Sequence, residues 1–204
     1  MYQKSGYISF DFVNNFNMPF NFLIGGRGCG KTYTVCKGVY DTGKQFIYMR
    51  RSQAQLDIVT IPEYSPFNPL NRDFNLNINI KREGKMRAIK DGDEPRGYMC
   101  ALSTFANMRG FDASQIEYII FDEFIPERSE RPIKNELACF LNMYETVNRN
   151  RELDGKPPVK CFLLANSNNI YTKLITGLNL CDKIITMKEL GKEYSIMQDR
   201  GIGL

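Results

Sequence analysis

Residues 25–32 read Gly-Gly-Arg-Gly-Cys-Gly-Lys-Thr, with every fixed position of a G-x-x-x-x-G-K-[ST] loop present and in order. In such a loop the glycines let backbone N–H groups curl around phosphate oxygens without Cβ clashes. Gly25, Gly26, Arg27, Gly28, Cys29 and Gly30 would form the cradle, Lys31 would reach the outer phosphates, and the Thr32 hydroxyl would ligate Mg²⁺. The loop predicts ATP or GTP as the ligand. A second constellation, Ile116-Glu-Tyr-Ile-Ile-Phe-Asp-Glu123, is an apolar run ending in adjacent carboxylates. Where such a strand ends beside the loop, Asp122 can hold the hydration shell of Mg²⁺. Glu123, pointing the other way, can polarise a water for in-line attack on the γ-phosphate. Two acids can also simply start a helix and complement its dipole. Beside a complete nucleotide loop, the pair predicts hydrolysis.

Three further residues have a chemical reading and a plain one. Asn166 ends the run Lys160-Cys-Phe-Leu-Leu-Ala-Asn166 and can sense a γ-phosphate or cap the next helix. Arg149, in Asn148-Arg-Asn-Arg151, follows a helical stripe of Leu137, Phe140, Leu141, Tyr144 and Val147. It can complement that helix's C-terminal dipole, worth about 0.3–1 kcal/mol. It can also enter a neighbouring subunit's site as an arginine finger. Arg109, in Asn107-Met-Arg-Gly110, has the same finger reading beside that of a solvated surface charge.

These residues need a scaffold, and the chain supplies one. Its 204 residues, 43% apolar and 25% charged, suit one globular core. Apolar runs at 20–24, 45–50, 98–103, 116–121, 160–165 and 183–187 alternate with amphipathic stretches, which predicts an α/β fold with a parallel central sheet flanked by helices. Runs such as 118–121 and 161–164 are apolar throughout, as expected of strands covered on both faces. Within residues 63–97, Pro66, Pro69 and several Asn precede Phe74-Asn-Leu-Asn-Ile-Asn-Ile80, which alternates with period two before an Arg82-Glu-Gly-Lys85 turn. That stretch reads as an inserted β-hairpin or lid within a motor domain of residues 1–197, and 198–204 as the start of a linker.

Composition closes off other chemistries. The chain has no histidine, so a general base must be a carboxylate, Lys or Tyr, and histidine-activated nucleophiles are excluded. Six cysteines stand singly at 29, 36, 100, 139, 161 and 181, giving no zinc or disulfide framework and suggesting reduced, cytosolic thiols. The N-terminus has no signal-peptide pattern, and no apolar run approaches the roughly 20 residues that span a bilayer, so no membrane partner is expected. The net charge of +4 suits a nucleic-acid partner without establishing one.

The loop at 25–32, Gln45-Phe-Ile-Tyr-Met-Arg-Arg51, Phe121-Asp-Glu-Phe-Ile125, Asn142-Met-Tyr-Glu-Thr-Val-Asn-Arg-Asn-Arg-Glu152 and Leu163-Leu-Ala-Asn-Ser167 together resemble the DNA-packaging ATPases of phi-twenty-nine-like small tailed phages. The likeness runs through most of residues 20–170. It implies an ATP- and Mg²⁺-dependent ring, a pentamer, acting in the host cytoplasm at the procapsid portal with a structural RNA to drive in double-stranded DNA. It also implies Arg149 as the finger acting in trans, Arg109 as a second residue acting in trans, and Arg50 near the phosphates. Members carry a further C-terminal domain. A motor must grip the DNA backbone over any sequence, and Arg51, Lys81, Arg82, Lys85 and Arg87 are the candidates, although the same charges suit a solvated hairpin or a lid. Another helicase or translocase, a nucleoside or small-molecule kinase, a non-hydrolysing switch and a structural nucleic-acid module are the alternatives the motifs leave open.

Overall fold

Successive side chains of each central strand feed two different cores, which is why these runs are mainly apolar along their length. The computed structural model describes the whole chain except residues 4, 5, 84, 85, 109, 128 and 168 and the side chains of 107 and 108. In order, the elements are α1 (Phe10–Asn14), β1 (Phe20–Gly25), α2 (Lys31–Asp41), β2 (Gln45–Arg50), α3 (Gln53–Val59), α4 (Asn68–Phe74), β3 (Ile78–Glu83), β4 (Met86–Asp91) and β5 (Glu94–Ala101). They continue as β6 (Ile116–Asp122), α5 (Glu136–Asn148), β7 (Lys160–Asn166), α6 (Lys173–Gly177), α7 (Cys181–Glu189), β8 (Ile196–Met197) and β9 (Ile202–Gly203). Among the described residues the strands form one nine-stranded sheet in the order β3-β4-β5-β2-β6-β7-β1-β9-β8. From β5 to β9 neighbouring strands in that order are parallel, and β3, β4 and β8 add antiparallel edges. The expected α/β architecture with a parallel centre is what forms.

Parity along the strands sorts the side chains. Phe46, Tyr48, Ile120, Phe162 and Leu164 pack with Val35, Cys36 and Val39 of α2 and with Phe10, Val13, Leu56 and Leu70. Their chain neighbours Ile47, Met49, Ile119, Phe121, Cys161 and Leu163 pack on the opposite face with Phe140, Met143, Tyr144 and Val147 of α5 and with Leu174 and Ile175. Full burial of each such side chain contributes about 1.5–3 kcal/mol, so the two-sided runs hold both helical layers. The helix expected before Arg149 is α5; Leu141 of its stripe is exposed, and Met143 occupies the buried position instead.

Three expectations change. Residues 183–187 form part of α7 rather than a strand. Cys181 and Ile184, three apart, pack against the core, and Asp182, Lys183 and Lys188 leave the rest of the turn polar. Within residues 198–204, Ile202 and Gly203 join the sheet. Ile202 is buried, and β9 pairs in parallel with Phe20 and Asn21, so the stretch read as a linker is a structural edge. The alternation at 74–80 becomes strand only from Ile78, because Phe74 ends α4 and Asn75 turns the chain in the left-handed region at φ +52. The hairpin β3–β4 then continues the sheet beyond β5.

Candidate nucleotide-binding site

β1 ends at Gly25, in register with Asn166 at the end of β7, and the chain turns through Gly28 (φ +79) and Gly30 (φ +76) into α2. Only glycine adopts those angles without strain, and the turn aims the first amides of α2 at one point, where the helix dipole favours an anion. Lys31 Nζ lies over this loop, donating to the carbonyls of Gly26 at 2.7 Å and Gly25 at 3.2 Å and to Asn166 Oδ1 at 3.4 Å. Cys29 Sγ caps the Gly26 carbonyl at 3.2 Å. Because β7 lies between β1 and β6, Asn166 reaches Lys31 while Asp122, one strand further along, accepts from Thr32 Oγ1 at 2.9 Å. Lys31, Thr32, Asp122, Glu123 and Asn166 line one cavity of about 490 Å³.

The strand parity also explains the second half of the site. Tyr48 and Arg50 of β2 face the same side as Asp122 of β6. Tyr48 OH donates to Asp122 Oδ2 at 2.6 Å, and Arg50 Nη1 donates to the same oxygen at 3.1 Å. Nothing in the spacing singled out Tyr48, although its place two residues before Arg50 on a predicted strand already puts both on one face. Alternation would send Glu123 to the other face. Instead the backbone there adopts φ +53, the strand stops, and the Glu123 carboxylate pairs with Nη2 of Arg50. Residues outside glycine hold such angles at a cost of about 1–3 kcal/mol, and these cluster at functional sites.

Burial pushes the Glu123 carboxyl above its ordinary range; Arg50 pulls it down, and Asp122 adds to the rise. Burial opposes the charge on Arg50, but Tyr48, Asp122 and Glu123 outweigh it and raise its pKa. Tyr48 is held well above the usual phenol value, chiefly by burial and then by Asp122, so it remains a donor. The arrangement fits a nucleotide with a hard cation: amides and Lys31 face one end of the cavity, and the Thr32 hydroxyl and Asp122 carboxylate supply oxygen ligands at the other.

Other expected residues fall elsewhere. Arg27 is exposed at the cavity mouth and pairs with Glu127 at 3.1 Å. Arg149 caps α5 in solvent. Its neighbour Arg151 is buried and donates to the carbonyls of Ile116 at 2.9 Å and Pro157 at 2.8 Å. Ile116 begins β6 and Asp122 ends it, so the end of α5, tied to Ile116 through Arg151 and to Val159 through Asn148, lies at the other end of the strands from the acids. Arg109 and Lys85 lie outside the described residues.

Among the residues considered for DNA, Arg51 is corrected. It is 1% exposed, donates from Nε to Glu136 at 2.7 Å and from Nη1 to Glu130, and so ties β2 to the start of α5 rather than facing a partner. The physical reason is parity: adjacent arginines leave opposite faces, Arg50 to the acids and Arg51 to α5. Arg87 is half-buried against Asp57 of α3, and Lys81 lies 3.9 Å from Asp93. Lys81 and Arg82 are exposed on the hairpin.

The chain is similar to known proteins along nearly its whole length. It is 30% identical over 186 residues to the DNA packaging protein of Bacillus phage phi29, covering 88% of this chain and 50% of that one. It is 35% identical over 169 residues to the DNA packaging protein of Bacillus phage B103, covering 80% and 49%. The chain therefore spans about half the length of these curated relatives. Its fold matches the crystal structure of the N-terminal domain of the DNA packaging ATPase from bacteriophage phi29 with a TM-score of 0.75 at 26% identity, over 97% of this chain and 94% of that one. It also matches a chain of the bacteriophage phi-29 viral genome packaging motor assembly with a TM-score of 0.73 at 25% identity, over 98% and 56%. The model of the Podovirus DNA encapsidation protein (Gp16) family matches residues 2–197, and the chain belongs to that family.

Proposed function

We propose that this chain is the ATP-hydrolysing unit of a phage DNA-packaging motor that works as a ring at the procapsid portal, with double-stranded DNA as its track. The observation that carries the reading is the convergence of Lys31, Thr32, Asp122, Glu123 and Asn166 on one cavity. The names of the similar proteins support the packaging role, and family membership favours it over a kinase or helicase.

In this reading the loop amides and Lys31 bind the phosphates, and Thr32 and Asp122 would hold Mg²⁺, which would supply charge neutralisation. Glu123 is the base that orients and deprotonates a water, and Asn166 reads the outer phosphate through its contact with Lys31. Arg50 keeps the two acids in position until a nucleotide is bound. Arg149 completes the site of an adjacent subunit, a reading its exposure at the end of α5 supports, and Arg109 is a second such residue. The exposed Lys81 and Arg82, with Lys85, offer a backbone grip on DNA, the ring is a pentamer, and a portal and structural RNA are further partners.

Glu123→Gln tests the hydrolytic assignment. The variant is expected to bind ATP with unchanged affinity and to turn it over at least about 100-fold more slowly, the scale of a lost general base. Phosphate release at the unmodified rate sinks the assignment.

A further inference from the structure

Beside the phosphate cavity lies a second cleft of about 880 Å³ between α1, α2 and α4, a volume in the range of small-molecule sites. The two meet at Tyr33, which lines both. At their junction stands Tyr7. Its ring lies directly over Gly30 of the loop, where an added Cβ would come 2.4 Å from Cγ of the ring, and it meets Tyr33 edge-on at 5.8 Å between centroids.

Tyr7 is set there by local structure. Gln3 N donates to the Tyr7 carbonyl at 2.7 Å, Tyr2 and Ile8 form an antiparallel bridge, and Ser9 N donates to the Met1 carbonyl at 2.8 Å. Ser9 then caps α1 through Phe12 N, and Phe10 drops onto Gly38 of α2, where a Cβ would lie 2.0 Å from its ring. A glycine inside a helix costs about 1 kcal/mol relative to alanine, and this one is explained by the Phe10 anchor. Two glycines of the loop and its helix thus receive two aromatic rings from the N-terminal segment. One ring is buried; Tyr7 remains 36% exposed.

We propose that the cleft at Tyr7 and Tyr33 takes the purine base of the bound nucleotide, with Tyr7 as its stacking platform. The inference rests on the nucleotide-binding reading above and adds the N-terminal segment to the site. A nucleotide whose phosphates enter the loop at 25–32 leaves its base one ribose away, next to the first turn of α2, and that place is where an exposed aromatic face is held. Every base has a π-face, so one stacked ring contributes affinity without reading the base's edge.

The test compares ATP with inorganic tripolyphosphate, which carries the phosphates and no base, on the 204-residue chain by calorimetry. Tyr7→Ala is expected to weaken ATP about tenfold and leave tripolyphosphate unchanged, while Tyr7→Phe keeps the affinity for both. Unchanged ATP affinity in Tyr7→Ala, or equal loss of both ligands, overturns the proposal. On the unmodified chain, photolysis with 2-azido-ATP is expected to label the peptide holding Tyr7 or Tyr33; labelling confined to other peptides also overturns it. If the unmodified chain binds tripolyphosphate and ATP equally well, the base proposal fails while the phosphate site stands. If it binds neither, the nucleotide reading itself fails.

Discussion

At the end of β6, one guanidinium serves two carboxylates that ought to repel each other. Arg50 bonds both Asp122 and Glu123, yet burial still leaves the Glu123 carboxyl above its usual range. A base that must be ionised then loses activity as pH falls through that raised value. The acid limb of turnover is therefore expected above the roughly 4.3 of an ordinary glutamate, and a limb at or below 4.3 contradicts it. Arg50→Met removes the group that pulls Glu123 down and is expected to move the limb further up. The effect of Glu123 on stability has the opposite sign to its effect on activity. Between the ordinary value and the raised one the folded state holds the extra proton, so Glu123 makes stability fall as pH rises through that window. Urea midpoints against pH, compared with Glu123→Gln, read this directly.

Among the elements, the two turns of chain that matter most hang on single residues. Arg51 joins β2 to Glu136, the first residue of α5, and to Glu130, and all but Glu130 are buried. Removing one member leaves an uncompensated buried charge, so Arg51→Ala is expected to cost about 3–5 kcal/mol in urea unfolding; a loss under about 1 kcal/mol would place the pair in effective contact with water. Gly97 of β5 faces the backbone of β2, where a Cβ would lie 1.9 Å from the Phe46 carbonyl oxygen. Gly97→Ala must part β5 from β2, and a lowered thermal midpoint together with loosened amide protection along 46–50 is the expected signature. The strands themselves were legible because buried two-sided runs have few other homes. Residues 183–187 misled because two adjacent isoleucines among charges satisfy a short strand or one helical face equally well, and only packing on the core decides.

For the whole molecule, the acids and the end of α5 lie at opposite ends of the central strands. α5 runs back from the acids' edge, and its end carries Arg149 to the start of β6. Under the proposed in-trans role, a second subunit brings that arginine to a phosphate. Mixing Arg149→Ala chains with Glu123→Gln chains tests it: some ATPase activity is expected to return in mixed rings, since an intact pair of acids can then face an intact arginine. Mixtures as inactive as either variant alone would favour a role within one chain.

Local spacing, and the places where apolar runs can be buried, were enough to place the glycine-rich loop at 25–32, the Asp122-Glu123 pair, the Asn166 strand end and the parallel sheet. Tertiary structure decided what strand parity and register do to neighbours. It sent Arg50 to the acids and Arg51 into the α5 contact, turned Glu123 back through a left-handed angle, recruited Tyr48 to Asp122, and paired Ile202 and Gly203 with β1. Each of these depends on which side of a strand faces which helix, and that relation between distant segments exists only once the sheet has formed.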